Sequence, residues 1–135
     1  MERRFINPLE LVSPTGYSHV AVSSAGRTVH VSGQIAYDGT GRIVGKGDLR
    51  TQAVQVYENL KAALAAADAG LADVVKMTTF VVYLTPEKAQ IMREVRGQYL
   101  PEDHRPASTM VGVTSLVNPD LLVEIEVVAV LTDRR

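Results

Sequence analysis

Leu121-Leu122-Val123-Glu124-Ile125-Glu126-Val127-Val128-Ala129-Val130-Leu131 carries the most decisive pattern in the chain. Val123, Ile125, Val127, Ala129 and Leu131 recur at every second position, the period of a strand with one buried face. The opposite face begins with two carboxylates, Glu124 and Glu126, and continues as Val128 and Val130. A face that starts acidic and becomes apolar is not uniformly solvated. Either its acidic end lies exposed at the rim of a sheet, or one carboxylate lines a cleft as a general acid or base.

Working back from this strand, Asn118-Pro119-Asp120 reads as a turn and Ala107 to Thr114 as another strand. Thr85-Pro86 is a helix start, a hydroxyl cap followed by proline at the first helical position. Ile91, Val95 and Tyr99 follow at four-residue steps, and Pro101 ends the helix. Lys76 to Leu84 is rich in β-branched residues and reads as a strand. Leu49, Ala53, Val56, Leu60, Ala63, Leu64 and Ala67 share one face of a first helix, with Asp48 as N-cap and Gly70 as the residue just past its end. Asp73 is expected to open a short turn. Nearer the start, His19 to Ser23 and Thr28 to Ser32 alternate apolar and polar residues. The short Ala25-Gly26 link predicts a hairpin.

The order is β-β-α-β-α-β-β, which predicts one α+β domain over residues 1–135. Its mixed sheet has both helices on one face. The other face is left bare, and self-association is the usual way to cover it.

With 135 residues, 46% hydrophobic and 21% charged, the chain has the make-up of a globular protein. A net charge of -1 and the lack of a basic stripe argue against a nucleic-acid partner. There is no cysteine, so disulfides, thiolate metal sites and cysteine nucleophiles are excluded. No apolar run approaches the ~20 residues that span a bilayer. The N-terminal residues contain no signal-like apolar core, and a cytoplasmic location is expected. His19, His30 and His104 have no metal-ligand spacing, so no metal is expected.

Several segments, taken in order, resemble the Rid (reactive intermediate deaminase, YjgF-like) family. They are Gly16-Tyr17-Ser18, Val31-Ser32-Gly33-Gln34-Ile35, Glu58-Asn59-Leu60, Val75-Lys76-Met77-Thr78-Thr79-Phe80-Val81 and Val123 to Val130. The resemblance implies a chorismate-mutase-like subunit, a homotrimer with ligand clefts between subunits, and no cofactor. It implies a hydrolase or deaminase acting on a small imine, enamine or related labile compound. A trimer that binds a small ligand or a protein without catalysis is the alternative.

The resemblance also assigns site residues. Glu124 matches the family's water-positioning glutamate and Tyr17 its cleft tyrosine. Ser32, Thr85, Ser108, Thr109, Met110 and Arg105 complete the expected ligand-binding set. The family's active members bind the substrate carboxylate with an arginine in Pro-x-Arg-[Ser/Thr]-x-Val. Here Pro106-Ala107-Ser108-Thr109-Met110-Val111 puts Ser108 at the arginine's place, which disfavours ordinary 2-imino acids. Met110 stands where a cysteine is frequent, and Thr85 where the family has asparagine. Arg105 lies three residues before Ser108, about 10 Å away in an extended chain. That odd offset points it to the opposite face unless the chain bends at Pro106. Glu126, close to Glu124 in charge and position, is expected to have a neutralising partner: an arginine or lysine of this or a neighbouring subunit, or backbone N–H donors.

Overall fold

The computed structural model describes residues 3–24 and 26–132. Its sheet is organised by strand β6 (Val123–Leu131), along which burial alternates as the sequence predicts: Val123, Ile125, Val127 and Ala129 are all buried. β6 lies between β3 (Arg27–Gln34) and β4 (Val74–Val82), antiparallel to both, and β5 (Ala107–Val113) forms the far edge parallel to β4. The parallel pair is joined through helix α2 (Pro86–Tyr99), the kind of crossover that parallel strands require.

Helix α1 (Leu49–Ala65) starts at Asp48, whose carboxylate accepts from Thr51 N at 3.2 Å and from the Thr51 hydroxyl at 2.8 Å. These bonds hold the Asp48 carboxyl below its usual pKa, the Thr51 hydroxyl contributing most. α2 starts as expected, with the Thr85 hydroxyl accepting from Lys88 N at 3.2 Å and Pro86 in the first turn. Leu49, Ala53, Val56, Leu60 and Leu64 of α1 and Met92 and Val95 of α2 pack with the inner faces of β4 and β6 into one core.

Two buried polar residues tie loops to that core. Gln52 is fully buried. Its amide donates to Gly45 O and Asp120 O, and its carbonyl accepts from Leu122 N at 2.8 Å. Asn59 donates to Ile35 O and Tyr37 O, each at 2.9 Å, and so pins the segment that leaves β3.

The expected hairpin does not form, and the single expected sheet is two. β2 (Val20–Ser23) pairs over its whole length with β1 (Arg3–Ile6), a strand absent from the sequence reading, in a separate two-stranded sheet. β3 pairs with β6 instead, because nine-residue β6 offers its eight residues a partner along their length that four-residue β2 cannot. Ala25, in the expected turn, lies outside the described residues. β1 is anchored where Arg3 meets Asp73 at 3.0 Å and Ala72 O at 2.9 Å.

Gly70 is not the residue that ends α1. The helix stops at Ala65 and Asp68 takes the left-handed conformation at φ 59, with Ala69 N bonded back to Leu64 O. Gly70 N instead donates to Asp73 Oδ2 at 2.8 Å across a 3-10 turn, Leu71–Asp73, so Asp73 closes that turn rather than opening one.

Candidate functional site

The register of the three strands β5, β4 and β6 sorts the expected site residues into two groups, because residues aligned across neighbouring strands share a face. Thr109, Thr78 and Glu126 align, as do Val111, Phe80 and Glu124. These lie on the face away from the helices. Ser108 aligns with Met77 and Met110 with Thr79, both of which are buried toward the helices.

Glu124 is half-buried on the outer face. Gly33, on β3, stands against it: a Cβ there would overlap the Glu124 carboxylate. The close approach falls where the β3–β6 register shifts between Val31 and Gln34. A bulge of this kind re-aims a strand locally. Ser32 lies in the same irregularity and is exposed. Phe80 and then Val111 continue the row beyond Glu124, giving the carboxylate an aromatic neighbour on the adjacent strand.

One register step away, Lys76 Nζ donates to the Thr109 hydroxyl at 3.2 Å and to Met77 O at 3.0 Å. Glu126, opposite Thr78, is exposed, and among the described residues no lysine or arginine forms an ion pair with it. An own-chain lysine or arginine, one of the partners expected for Glu126, is therefore not found among the described residues.

On the helix side, Ser108 and Met110 line a cavity of about 190 Å³ with Thr15, Tyr17, Arg93 and Arg96. The Tyr17 segment reaches β5 through a parallel bridge between Ser18 and Ala107, closed by Ser18 N donating to Pro106 O at 3.0 Å. The Tyr17 ring meets His19 edge-on at 5.2 Å between centroids. Arg105 opens with Tyr17 onto an adjacent depression, beside Glu102 and Asp103.

Arg96 is buried, and burial holds its guanidinium below the ordinary arginine pKa. Arg105 and Arg93 act in the same direction while Tyr57 opposes them. The Thr85 hydroxyl is used to cap α2. Within one chain, then, Ser32 and Thr109 share the Glu124 face, Tyr17, Ser108 and Met110 share the helix-side cavity, and Thr85 stands apart. Arg93 and Arg96 were not singled out in the sequence. The signal was present in the spacing Ala89, Met92, Arg96, which puts an arginine on the buried stripe of α2.

The family model described as Endoribonuclease L-PSP matches residues 9–131. The chain belongs to the Rid (YjgF-like) family. A RutC family protein of Synechocystis is 37% identical over 132 residues, which is 97% of this chain and 98% of that protein. The mitochondrial protein MMF1 of Saccharomyces cerevisiae is 34% identical over 124 residues, 90% of this chain and 80% of that protein. Among solved structures, a Rid-family protein of unknown function from Yersinia pestis superimposes with a TM-score of 0.92 at 39% identity, covering 97% of this chain and all (100%) of that one. RidA from the Antarctic bacterium Psychrobacter gives a TM-score of 0.70 at 31% identity over 89% of this chain and 92% of that one. The α+β subunit is thus a Rid-family fold. Among the described residues no helix is long and apolar enough to cross a membrane.

Proposed function

We propose that this Rid-family protein is a cofactor-free hydrolase that deaminates a small imine, enamine or related labile metabolite. It works as a homotrimer with Glu124 positioning the attacking water. The observation that carries the reading is the seat of Glu124: a half-buried carboxylate on the face free of helices, held where Gly33 leaves room for it. Glu124 takes a proton from water as its oxygen bonds to the imine carbon, and the C=N π electrons go to nitrogen, which receives that proton from Glu124. Glu124 then takes the hydroxyl proton of the adduct and passes it to the amino nitrogen as the C–N bond breaks, so the carbonyl product and ammonia leave and the carboxylate is restored.

Tyr17 and Ser108 open to the opposite side of the same sheet, so a neighbouring subunit must bring them to Glu124. Ser32 and Thr109 are the ligand contacts supplied from the Glu124 face itself. Arg105 enters with Tyr17, and Met110 lines the cavity beneath both. Thr85 acts at one remove by fixing the start of α2.

With Ser108 at the family's arginine position and no arginine on the Glu124 face of β5, ordinary 2-imino acids are disfavoured. A small ligand is favoured over RNA because Glu124 and Glu126 repel a phosphate backbone and the chain's net charge is -1. A cytoplasmic location is part of the same proposal. The mitochondrial designation of the yeast relative makes cell fractionation its test.

A screen of imines and enamines, including those generated in place by an amino-acid oxidase, tests the activity. Glu124→Gln is expected to lower turnover by about 10²- to 10⁴-fold, the usual contribution of a general base, with melting temperature unchanged. The second reading, a trimer that binds without converting its ligand, is favoured by Ser108 at the arginine position. It predicts saturable binding with no product in either protein.

A further inference from the structure

The helix-side cavity contains a buried cation without a counter-ion. Arg96 is 7% exposed, yet among the described residues the only hydrogen bond of its guanidinium is from Nη2 to Thr15 O at 3.3 Å, and no carboxylate forms an ion pair with it. The loop above it is shaped to the guanidinium: Gly16 sits at φ +78, and a Cβ there would come within 2.7 Å of Nη2. Arg93, one turn earlier on α2, opens onto the same cavity, and its only hydrogen bond among the described residues is to the neutral Gln90 Oε1.

Burying an arginine without an anion costs several kcal/mol, and like charges nearby add to that cost. A planar guanidinium with free N–H groups facing a cavity is also the geometry that binds carboxylate and phosphate oxygens in pairs. Ser108 lines the same space and supplies a neutral hydroxyl. The volume, about 190 Å³, suits a group of a few heavy atoms rather than a nucleotide.

We propose that this cavity binds a small oxyanion, the carboxylate or phosphate group of a metabolite, held by Arg96 and Arg93. The site deepens the reading above, since Tyr17 and Ser108 belong to both: the oxyanion lies on the helix side of the sheet, away from the carbon that Glu124 serves, and so is not the carboxylate next to that carbon in an ordinary 2-imino acid. Its failure is separable from failure of the hydrolase reading because Glu124 is not in the cavity.

Calorimetric titration of the full chain with inorganic phosphate and with acetate, at constant ionic strength in chloride, tests it. One saturable site per subunit is expected for at least one of the two anions, and the tighter one identifies the group recognised. Arg93→Gln, a surface change that leaves the core intact, weakens binding tenfold or more. Arg96→Lys does so wherever its melting curve shows it folded. Arg50→Gln, which removes a surface cation outside the cavity, binds as wild type. No saturable binding above chloride in the wild type, or affinity unchanged in Arg93→Gln, overturns the proposal.

Discussion

The two faces of one short stretch of sheet have opposite chemistry. On the outer face Glu124 presents a carboxylate beside Gly33, Phe80 and Val111; on the helix side Arg96 and Arg93 present cations beside Ser108 and Met110. The strands separate them simply by alternating, so that neighbouring residues such as Ser108 and Thr109 lie on different faces. The two regions also differ in how they are held. Glu124 is fixed by space left in a neighbouring strand. Arg96 is fixed by a helix stripe below and a glycine loop above. Within one chain, a change on one side should therefore leave the geometry of the other intact.

Gly33→Ala gives the largest effect short of removing the carboxylate. The new methyl takes the space of the Glu124 carboxylate, which is the end of a flexible side chain and swings away. Imine turnover is expected to fall at least about tenfold, as misplaced catalytic groups do, while the thermal midpoint moves little and phosphate or acetate binding stays at the wild-type level. Anion affinity that falls along with turnover would join the two sites. Gln52→Leu acts on both equally. It strands Leu122 N, Asp120 O and Gly45 O in the core, and about 3 kcal/mol is expected to be lost in urea unfolding. Ligand affinities measured below the transition should be unchanged.

Thr85→Ala gives the smallest effect. Loss of the α2 cap costs about 1 kcal/mol. If the hydroxyl only caps, kcat and KM stay as in wild type; a raised KM would return Thr85 to the ligand-binding set.

What the sequence disclosed follows the range of each signal. The strand β6 and the start of α2 were legible because a two-residue alternation and a Thr-Pro cap are local. The hairpin reading failed because pairing was chosen by β6, about a hundred residues away in sequence, rather than by the short link at Gly26. The strand β1 is only four residues long, two of them arginines, and shows no pattern that stands out.

At the site, the pair Glu124 and Glu126 was visible on an otherwise apolar strand, and the family resemblance alone singled out Glu124. The role of Gly33 was not, since it depends on a contact between strands. Which face Ser108 and Thr109 occupy is set by the register of β5 on β4, and the residues of β5 alone do not encode it. Arg96 was missed because a helical arginine is ordinarily solvent-facing, although its place on the Ala89–Met92 stripe marked it as buried.

In the proposed reaction Glu124 of one subunit acts with the Tyr17 segment of another. Hybrid trimers test it most directly. Glu124→Gln and Tyr17→Ala chains, each inactive and each folded, are mixed and reassembled, and native mass spectrometry verifies the hybrids. In a randomly mixed threefold ring, about a quarter of the clefts pair an intact Glu124 with an intact Tyr17 from its neighbour. Imine turnover is therefore expected to return to about a quarter of the wild-type level. Hybrids that form but stay as inactive as their parents, or a wild-type chain that is monomeric by light scattering, would contradict the claim.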